Sequence, residues 1–453
     1  MATPLVTVYV TNHNYGSYIE ESLQSIKNQE FQDFELIIID DGSTDDSLEK
    51  IEKYNKMENT HIVRQKNKGL VVSNNIALKL AVGKYIMRLD ADDYLDPRAL
   101  EIMVNTLEKN DDLALVFPDY YEIDESGEII QQVRRHNFEK DVTLFDQPAH
   151  GACTMIRRKV LLEIGGYDET HSRQDGYDLW LNIINSYSVK NINLPLFYYR
   201  QHGKSLTTNE SKLLKTRSKI IAKHAKKMAE KTLSVLAVIP VRGSAVDSRS
   251  LPLKELNQKP LIDWTIDAAM SSTTIKHLML STPDKEVLQH VKSKYGTEII
   301  LHEREPDLAR INQKLFKTII NSLEYYCNTH NKPDAILILN IEAPFRSAMY
   351  IDKAVHMMQL YDVDSVIGVS LEDDIFYVHD GSGLQPLSSD NGLRLERNDI
   401  YRKIGGITLV SEPYFSNQKQ ITGGKMGHIN MDQKAKFTIQ SDFDWSIAEA
   451  IYQ

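Results

Sequence analysis

Two short apolar runs that stop abruptly at aspartates constrain this chain more than any other feature. Phe34–Ile39 (FELIII) leads into Asp40-Asp41-Gly42-Ser43-Thr44-Asp45, and Tyr85–Leu89 leads into Asp90-Ala91-Asp92-Asp93. An apolar run without polar alternation must be covered on both faces, which is the condition of a parallel strand between helices. The neighbouring stretches agree. Leu5–Thr11 and His61–Arg64 read as strands, and Tyr18–Asn28, Ser47–Tyr54 and Val71–Ala81 carry apolar spacing suited to helices. Alternation of this kind predicts an α/β unit. Ligands of open α/β sheets bind beyond the carboxyl ends of the strands, so both acidic clusters are expected at one sheet edge. Carboxylates there could hold a divalent cation, and the cation a diphosphate. Aspartates after strands also form turns and cap helices, and one such cluster alone does not separate the two roles.

Composition narrows the class further. The 453 residues are 42% hydrophobic and 26% charged, which is ordinary for globular chains and enough for two or three domains. A net charge of −10 argues against a general nucleic-acid binder. Cys153 and Cys327 are the two cysteines, too few for a disulfide framework or a cysteine zinc site. MATPLVTVYV has neither a basic start nor a long apolar run, and no window approaches 18 uninterrupted apolar residues. The expectation is a soluble cytoplasmic protein without a signal peptide.

The strand–helix rhythm restarts at Ser234 with SVLAVIPVRG, followed by a helix at Leu261–Met270 and strands at HLMLST, AILILN and SVIGVS. Between the two halves, Lys204, Lys212, Lys215, Arg217, Lys219, Lys223, Lys226, Lys227 and Lys231 alternate with Leu213, Leu214, Ile220, Ile221, Ala225 and Met228. That pattern predicts a basic amphipathic helix, either a solvated link or a surface for anionic lipid at the inner face of a membrane. The expected organisation is a domain over 1–203, a basic helical linker over 204–232 and a second domain over 233–453.

VTVYVTNHNYGSYIEESLQSIKNQEFQDFELIIIDDGSTDDS and NKGLVVSNNIALKLAVGKYIMRLDADD together resemble the nucleotide-binding half of family 2 glycosyltransferases, which have the GT-A fold. The resemblance covers roughly residues 4–202. It implies that Thr11, Asn12 and Tyr15 line the nucleotide base and that Asp41 bonds the base or ribose. It also implies that Gly69 admits the nucleotide close to the backbone, that Asp90 faces the ribose, and that Asp92 ligates Mn²⁺ or Mg²⁺ on the donor diphosphate. Gly165-Gly166-Tyr167-Asp168-Glu169 and Arg173-Gln174-Asp175-Gly176-Tyr177-Asp178-Leu179-Trp180 resemble the acceptor-side motif. There Asp175 would be the general base for an attacking hydroxyl, with inversion at the anomeric carbon. The family often has Glu where Gln174 stands. Asp178 reads as a helix-start residue. Tyr199-Arg200-Gln201-His202-Gly203 resembles the closing segment, in which His202 would reach the metal or diphosphate. Arg134 and Arg135 read as solvated charges, with phosphate pairing as the alternative.

The second half resembles CMP-sialic acid synthetases and related acylneuraminate cytidylyltransferases through VIPVRG, LNQKPLIDWTI, LNIEAPFR, YRKIGG and DWSIAEA. Where that family carries a catalytic lysine this chain has Val246; Leu251-Pro252 replaces Lys-Asn, and Thr438-Ile439-Gln440 replaces Asp-Ile-Asp. A triphosphate would lack its lysine and paired carboxylates, so a catalytically degenerate domain is expected, kept for oligomerisation, scaffolding or acceptor recognition. Arg242, Lys254 and Arg310 are candidates for an anionic sugar. The whole reads as an inverting glycosyltransferase. Its donor would be a nucleotide-diphosphate sugar, most simply a UDP-sugar, and its acceptor a carbohydrate or glycolipid hydroxyl in surface polysaccharide or glycoconjugate synthesis. The alternatives are a bifunctional enzyme that also makes a CMP-activated acidic sugar, and a non-catalytic assembly scaffold.

Overall fold

A computed structural model describes residues 3–134, 149–170, 174–202, 210–228, 232–244, 246–247, 250–372, 374, 376–379, 381–387 and 400–451. The chain divides into two compact units, one built mainly from Met1–Thr216 and the other from Arg217–Asp374 and Asp399–Gln453. Arg135, Arg173 and Gly203 lie outside the described residues.

The first unit starts with β1 (Val6–Asn12), α1 (Ile19–Lys27), β2 (Phe34–Asp40), α2 (Ser47–Glu52), β3 (Thr60–Arg64), α3 (Leu70–Leu80) and β4 (Tyr85–Asp90). Each lies within a residue or two of the stretch its sequence pattern marks. Next come β5 (Tyr94–Leu95), α4 (Ala99–Glu108), β6 (Leu113–Ile123), β7 (Ile129–Val133), β8 (Met155–Arg157), α5 (Arg158–Glu163), α6 (Asp175–Ile184) and β9 (Ser188–Arg200). They form one nine-stranded sheet in the order β3-β2-β1-β4-β8-β6-β9-β5, with β7 paired to β6. β3, β2, β1 and β4 are mutually parallel, and every residue of β1 and β2 is buried. α1 shows why. Ile19, Leu23 and Ile26 recur at helical spacing and pack into the core that holds Val6, Val8 and Val10, while Glu20 and Glu21 open the helix and Lys27 ends it. Each such buried side chain contributes about 1.5–3 kcal/mol relative to exposure.

The register sets the rim of the sheet. Asn12 pairs with Asp40 and Thr11 with Asp90, so the carboxyl ends of three parallel strands finish level.

The basic stretch forms α7 (Glu210–Met228). Leu214, Ile220, Ile221 and Ala225 are buried, and Lys212, Lys215, Lys219, Lys223, Lys226 and Lys227 are exposed.

The second unit contains β10 (Val235–Pro240), β11 (Glu255–Leu256), β12 (Lys259–Pro260), α8 (Leu261–Met270), β13 (Ile275–Thr282), α9 (Lys285–Tyr295), β14 (Ile299–Glu303), α10 (Leu315–Cys327), β15 (Ala335–Leu339), α11 (Ala348–Tyr361) and β16 (Ser365–Glu372). The next two strands, β17 (Tyr377–His379) and β18 (Leu384–Pro386), pair as a hairpin that belongs to the first unit, and the second unit resumes with β19 (Ile400–Ser411), α12 (Glu412–Gln418), β20 (Met426–Asn430) and α13 (Asp442–Ala450). The seven-stranded sheet runs β14-β13-β10-β15-β19-β16-β20, with β19 antiparallel to its neighbours β15 and β16. Both halves are therefore α/β, as the alternation predicts.

Candidate active site

The rim of the first sheet divides into a turn-building side and an open side. Asn12 Nδ2 donates to Asp40 Oδ1 at 3.0 Å and to Ser43 Oγ at 2.9 Å, and Asp40 Oδ2 accepts from the Ser43 amide. Asn12 Oδ1 remains buried without a protein donor. Asp41 spends both oxygens on the chain. Oδ1 accepts from Gln65 Nε2 and the Lys68 amide, and Oδ2 accepts from the Gly69 amide, each at 2.8 Å. The carboxylate thus holds the turn that opens α3. Gly69 sits there at φ +90, where a side chain is strained, and a Cβ would meet nothing within 4 Å. Open space at a glycine is what a closely approaching ligand requires.

Asp90, Ala91, Asp92 and Asp93 form the next stretch of the rim. Asp90 makes an ion pair with Arg88, Nε to Oδ1 at 2.9 Å, and keeps a quarter of its side chain exposed. Burial pushes the Asp90 carboxyl up to about 6; Arg88 pulls the other way, and Asp92 and Asp175 add to the rise. Asp93 is buried and accepts from the Arg200 amide at 2.9 Å, and its carboxyl is driven well up by burial and by Asp92 and Asp90. Asp92 Oδ2 lies 2.9 Å from His202 Nε2. The His202 ring stacks on Tyr18 at 5.5 Å and meets the edge of Tyr15 at 5.6 Å. Burial, then Asp92, Asp90 and Asp93, raises the Tyr15 phenol, so it remains a neutral donor.

Arg200 secures this corner. Its guanidinium donates to the carbonyls of Asp92, Asp124 and Glu125 and to Glu21 Oε2 at 2.6 Å, and it lies over the Tyr18 ring.

Asp175 is the first residue of α6, behind Gln174 in a left-handed conformation at φ 62. Arg88 Nη1 donates to its Oδ2 at 2.6 Å, and Asn74 Nδ2 donates to the same oxygen at 2.8 Å. Asn74 in turn accepts from Tyr9, whose hydroxyl also meets that of Tyr167. A cleft beside Asp175 is lined by Arg88, His150, Gly151, Thr154, Tyr167 and Trp180, among others. Asp178 is buried in the first turn of the helix and accepts from Asn182.

The structure therefore brings Asp90, Asp92, His202, Tyr15 and Asp175 to one end of the sheet. Thr11 joins them by register, Asn12 and Asp41 build the adjoining turns, and Arg134 is exposed. Sequence reasoning missed Arg88, Asn74, Tyr9 and Arg200. Arg88 carried a signal, because a charge inside the apolar strand YIMRLD must find a buried partner.

Among the described residues no group of three or more His, Cys, Asp and Glu side chains is placed to hold a metal ion. Asp92 Oδ2 and His202 Nε2 are hydrogen-bonded to each other at 2.9 Å; a cation at this corner would take the place of that bond, with these two side chains as its protein ligands. The mutual repulsion of Asp90, Asp92 and Asp93 would be relieved by a positive charge.

Residues 7–165 match the family model for glycosyl transferase family 2. An uncharacterized glycosyltransferase of Methanocaldococcus jannaschii is 34% identical over 209 residues, covering 44% of this chain and 72% of that protein. Through its first unit, the chain belongs to glycosyltransferase family 2. Two further relatives of this family 2 unit come from Escherichia coli. A chondroitin synthase is 31% identical over 203 residues, 45% of this chain and 30% of the synthase. A UDP-Glc:alpha-D-GlcNAc-diphosphoundecaprenol beta-1,3-glucosyltransferase is 29% identical over 234 residues, 48% of this chain and 85% of that enzyme. The chain thus spans less than a third of the synthase. Residues 236–366 match the cytidylyltransferase family model, so a cytidylyltransferase domain follows the family 2 unit.

In that second domain the three candidate cations are engaged within the protein. Arg242 pairs with Asp247 at 3.2 Å, Lys254 lies 3.9 Å from the centre of the Trp445 ring, and Arg310 pairs with Asp307 at 2.8 Å. The Thr438-Ile439-Gln440 segment joins the loop after β15, with the Ile439 amide donating to the Glu342 carbonyl at 2.8 Å. Neither Thr438 nor Gln440 brings a carboxylate there.

Proposed function

We propose that the first unit is an inverting glycosyltransferase that takes a nucleotide-diphosphate sugar, a UDP-sugar in the simplest case, with Mn²⁺ or Mg²⁺. The acceptor would be a carbohydrate or glycolipid hydroxyl in surface polysaccharide or glycoconjugate synthesis. The observation that carries this reading is a single buried guanidinium. Arg88 touches both Asp90, on the donor rim, and Asp175, at the start of a helix far along the chain. One cation therefore holds an acid of the rim and the acid proposed as base in a single ion-paired cluster, and a transfer between two substrates requires such proximity.

The roles follow from position. Thr11, Asn12 and Tyr15 would border the base. Asp41 would order the Asn67–Gly69 turn beside the nucleotide, and Gly69 would leave room for it. Asp90, the more exposed partner of Arg88, would accept from a ribose hydroxyl. Asp92 and His202 would hold the cation, which offsets charge on the departing diphosphate. Asp175 would take the proton of the acceptor hydroxyl while that oxygen bonds the anomeric carbon. The bond to the diphosphate oxygen breaks on the opposite face, and the configuration inverts.

The chondroitin synthase and the UDP-Glc-dependent glucosyltransferase support UDP-sugars and polysaccharide work. The boundaries 1–203, 204–232 and 233–453 separate this unit from the linker and from a domain we read as degenerate, a candidate for subunit association. Among the described residues no helix is long and apolar enough to cross a membrane. The lysine-rich face of α7 is the surface we assign to anionic lipid at the cytoplasmic face of a membrane.

The test is UDP release from UDP-glucose, UDP-GlcNAc and UDP-glucuronic acid with Mn²⁺ and a panel of sugar acceptors. Asp92→Ala and Asp175→Asn should each abolish transfer. Near-normal turnover by Asp175→Asn would remove the base assignment.

A further inference from the structure

Asp175 is held by one side only. Both of its hydrogen bonds, from Arg88 Nη1 and Asn74 Nδ2, end on Oδ2, and among the described residues nothing donates to Oδ1. A carboxylate pinned through one oxygen cannot rotate, and its other oxygen is presented in a fixed direction. Arg88 is itself buried, with 7% of its side chain exposed. Burial works against its charge, but Asp90 and Asp175 outweigh burial and keep the guanidinium ionised.

The surrounding backbone is shaped for this arginine. A Cβ on Gly151 would stand 2.5 Å from Arg88 Nη2, and one on Gly176 would stand 3.3 Å from the Gly151 Cα. Gly151 therefore leaves the slot that the guanidinium fills, and Gly176 lets the Gly151 backbone pack close. A lysine could supply the charge but not the fork that reaches two carboxylates in different directions.

We propose that Arg88 is a positioning residue that couples the donor and acceptor sides of the site. Its guanidinium fixes Asp175 through Oδ2, so that Oδ1 is the oxygen that takes the acceptor proton, and it ties that oxygen's placement to Asp90 on the donor rim. This rests on the reading of Asp175 as the base. Arg88 touches neither substrate; it acts through the two aspartates. The slot also makes Gly151 part of this device, since a side chain there would displace Arg88 Nη2.

The experiment uses the full chain carrying R88M, R88K, D175N and the R88M/D175N pair. It reads UDP release with the UDP-sugars and Mn²⁺ above, and the crystal structure of each variant. R88M should lose about 100-fold or more in kcat with the KM for the donor changed only a few-fold. R88K should recover about tenfold of that loss. The R88M/D175N pair should be no slower than D175N, because both changes remove one device. In R88M crystals the Asp175 carboxylate should leave its bond to Asn74. If R88M fails to fold, because the buried Asp175 and the part-buried Asp90 then face each other without a cation, R88K carries the same comparison. R88M turning over like the parent protein while D175N is dead would overturn the proposal and leave the base intact. Losses that multiply in the pair, or an Asp175 unmoved in the crystals, would also overturn it. An active D175N would remove the underlying reading instead.

Discussion

Asp41 is the sharpest place to separate building from binding, because its carboxylate accepts three hydrogen bonds from its own chain, each at 2.8 Å. Replacing it with alanine strands two backbone amides, those of Lys68 and Gly69, at the start of α3. Gln65 is less affected, since its Nε2 also donates to Ser73 Oγ at 2.9 Å. A hydrogen bond to an ionised acceptor contributes about 1.5–3 kcal/mol net, so two at the lower end give about 3 kcal/mol. For a unit of roughly 200 residues that corresponds to a fall in melting temperature of about 6–12 °C. Asp41→Asn retains one acceptor oxygen and should lose about half as much. Calorimetry of the full chain reads the transition of the first unit, and UDP titration on the same samples reads binding. A melting temperature within 1 °C of the parent in Asp41→Ala, with UDP binding lost, would refute this reasoning and make Asp41 a ligand contact alone.

Other expectations are as direct. Gly151→Ala should reproduce much of the R88M defect in a folded protein, because the new methyl takes the place of Arg88 Nη2; full activity in a UDP-release assay would show that the slot is slack. His302 is buried, stacks on Tyr325, and has its pKa lowered to about 4 by burial and then by Arg304. The unfolded chain takes up that proton first, so its contribution is full above about pH 6.5 and is lost as pH falls toward 4, by up to about 3 kcal/mol. His302→Gln should flatten that part of the drop in denaturant midpoints between pH 7 and 4.5, and an unchanged slope would remove the argument. Incubation of the full chain with CTP, Mg²⁺ and nonulosonic acids should yield no CMP-sugar; clear formation would restore a second activity.

The strands and helices of the first unit were legible because burial writes itself into local patterns. FELIII and YIMRLD mark strands whose ends the register then levels, and the aspartates after them land on the rim as expected. What stayed hidden was pairing across the chain. Nothing near Asp41 shows that Lys68 and Gly69 would consume its oxygens, since those donors arrive only when α3 docks. Arg88 looks like a lone charge in a strand until α6 brings Asp175 beside it. The same holds for His202, whose partner Asp92 is supplied by a segment more than a hundred residues earlier. In the second half, by contrast, the expectation of lost chemistry rests on side-chain identity alone. Val246 and Gln440 lack the needed groups wherever the fold puts them.

The most direct test is a calorimetric titration of UDP into the parent chain and into Asp92→Ala, each with Mn²⁺ and with EDTA. If a cation held by Asp92 and His202 anchors the diphosphate, Mn²⁺ should tighten UDP binding at least tenfold in the parent and by little in Asp92→Ala. Equal binding in EDTA and Mn²⁺, or an undiminished Mn²⁺ effect in Asp92→Ala, would contradict it.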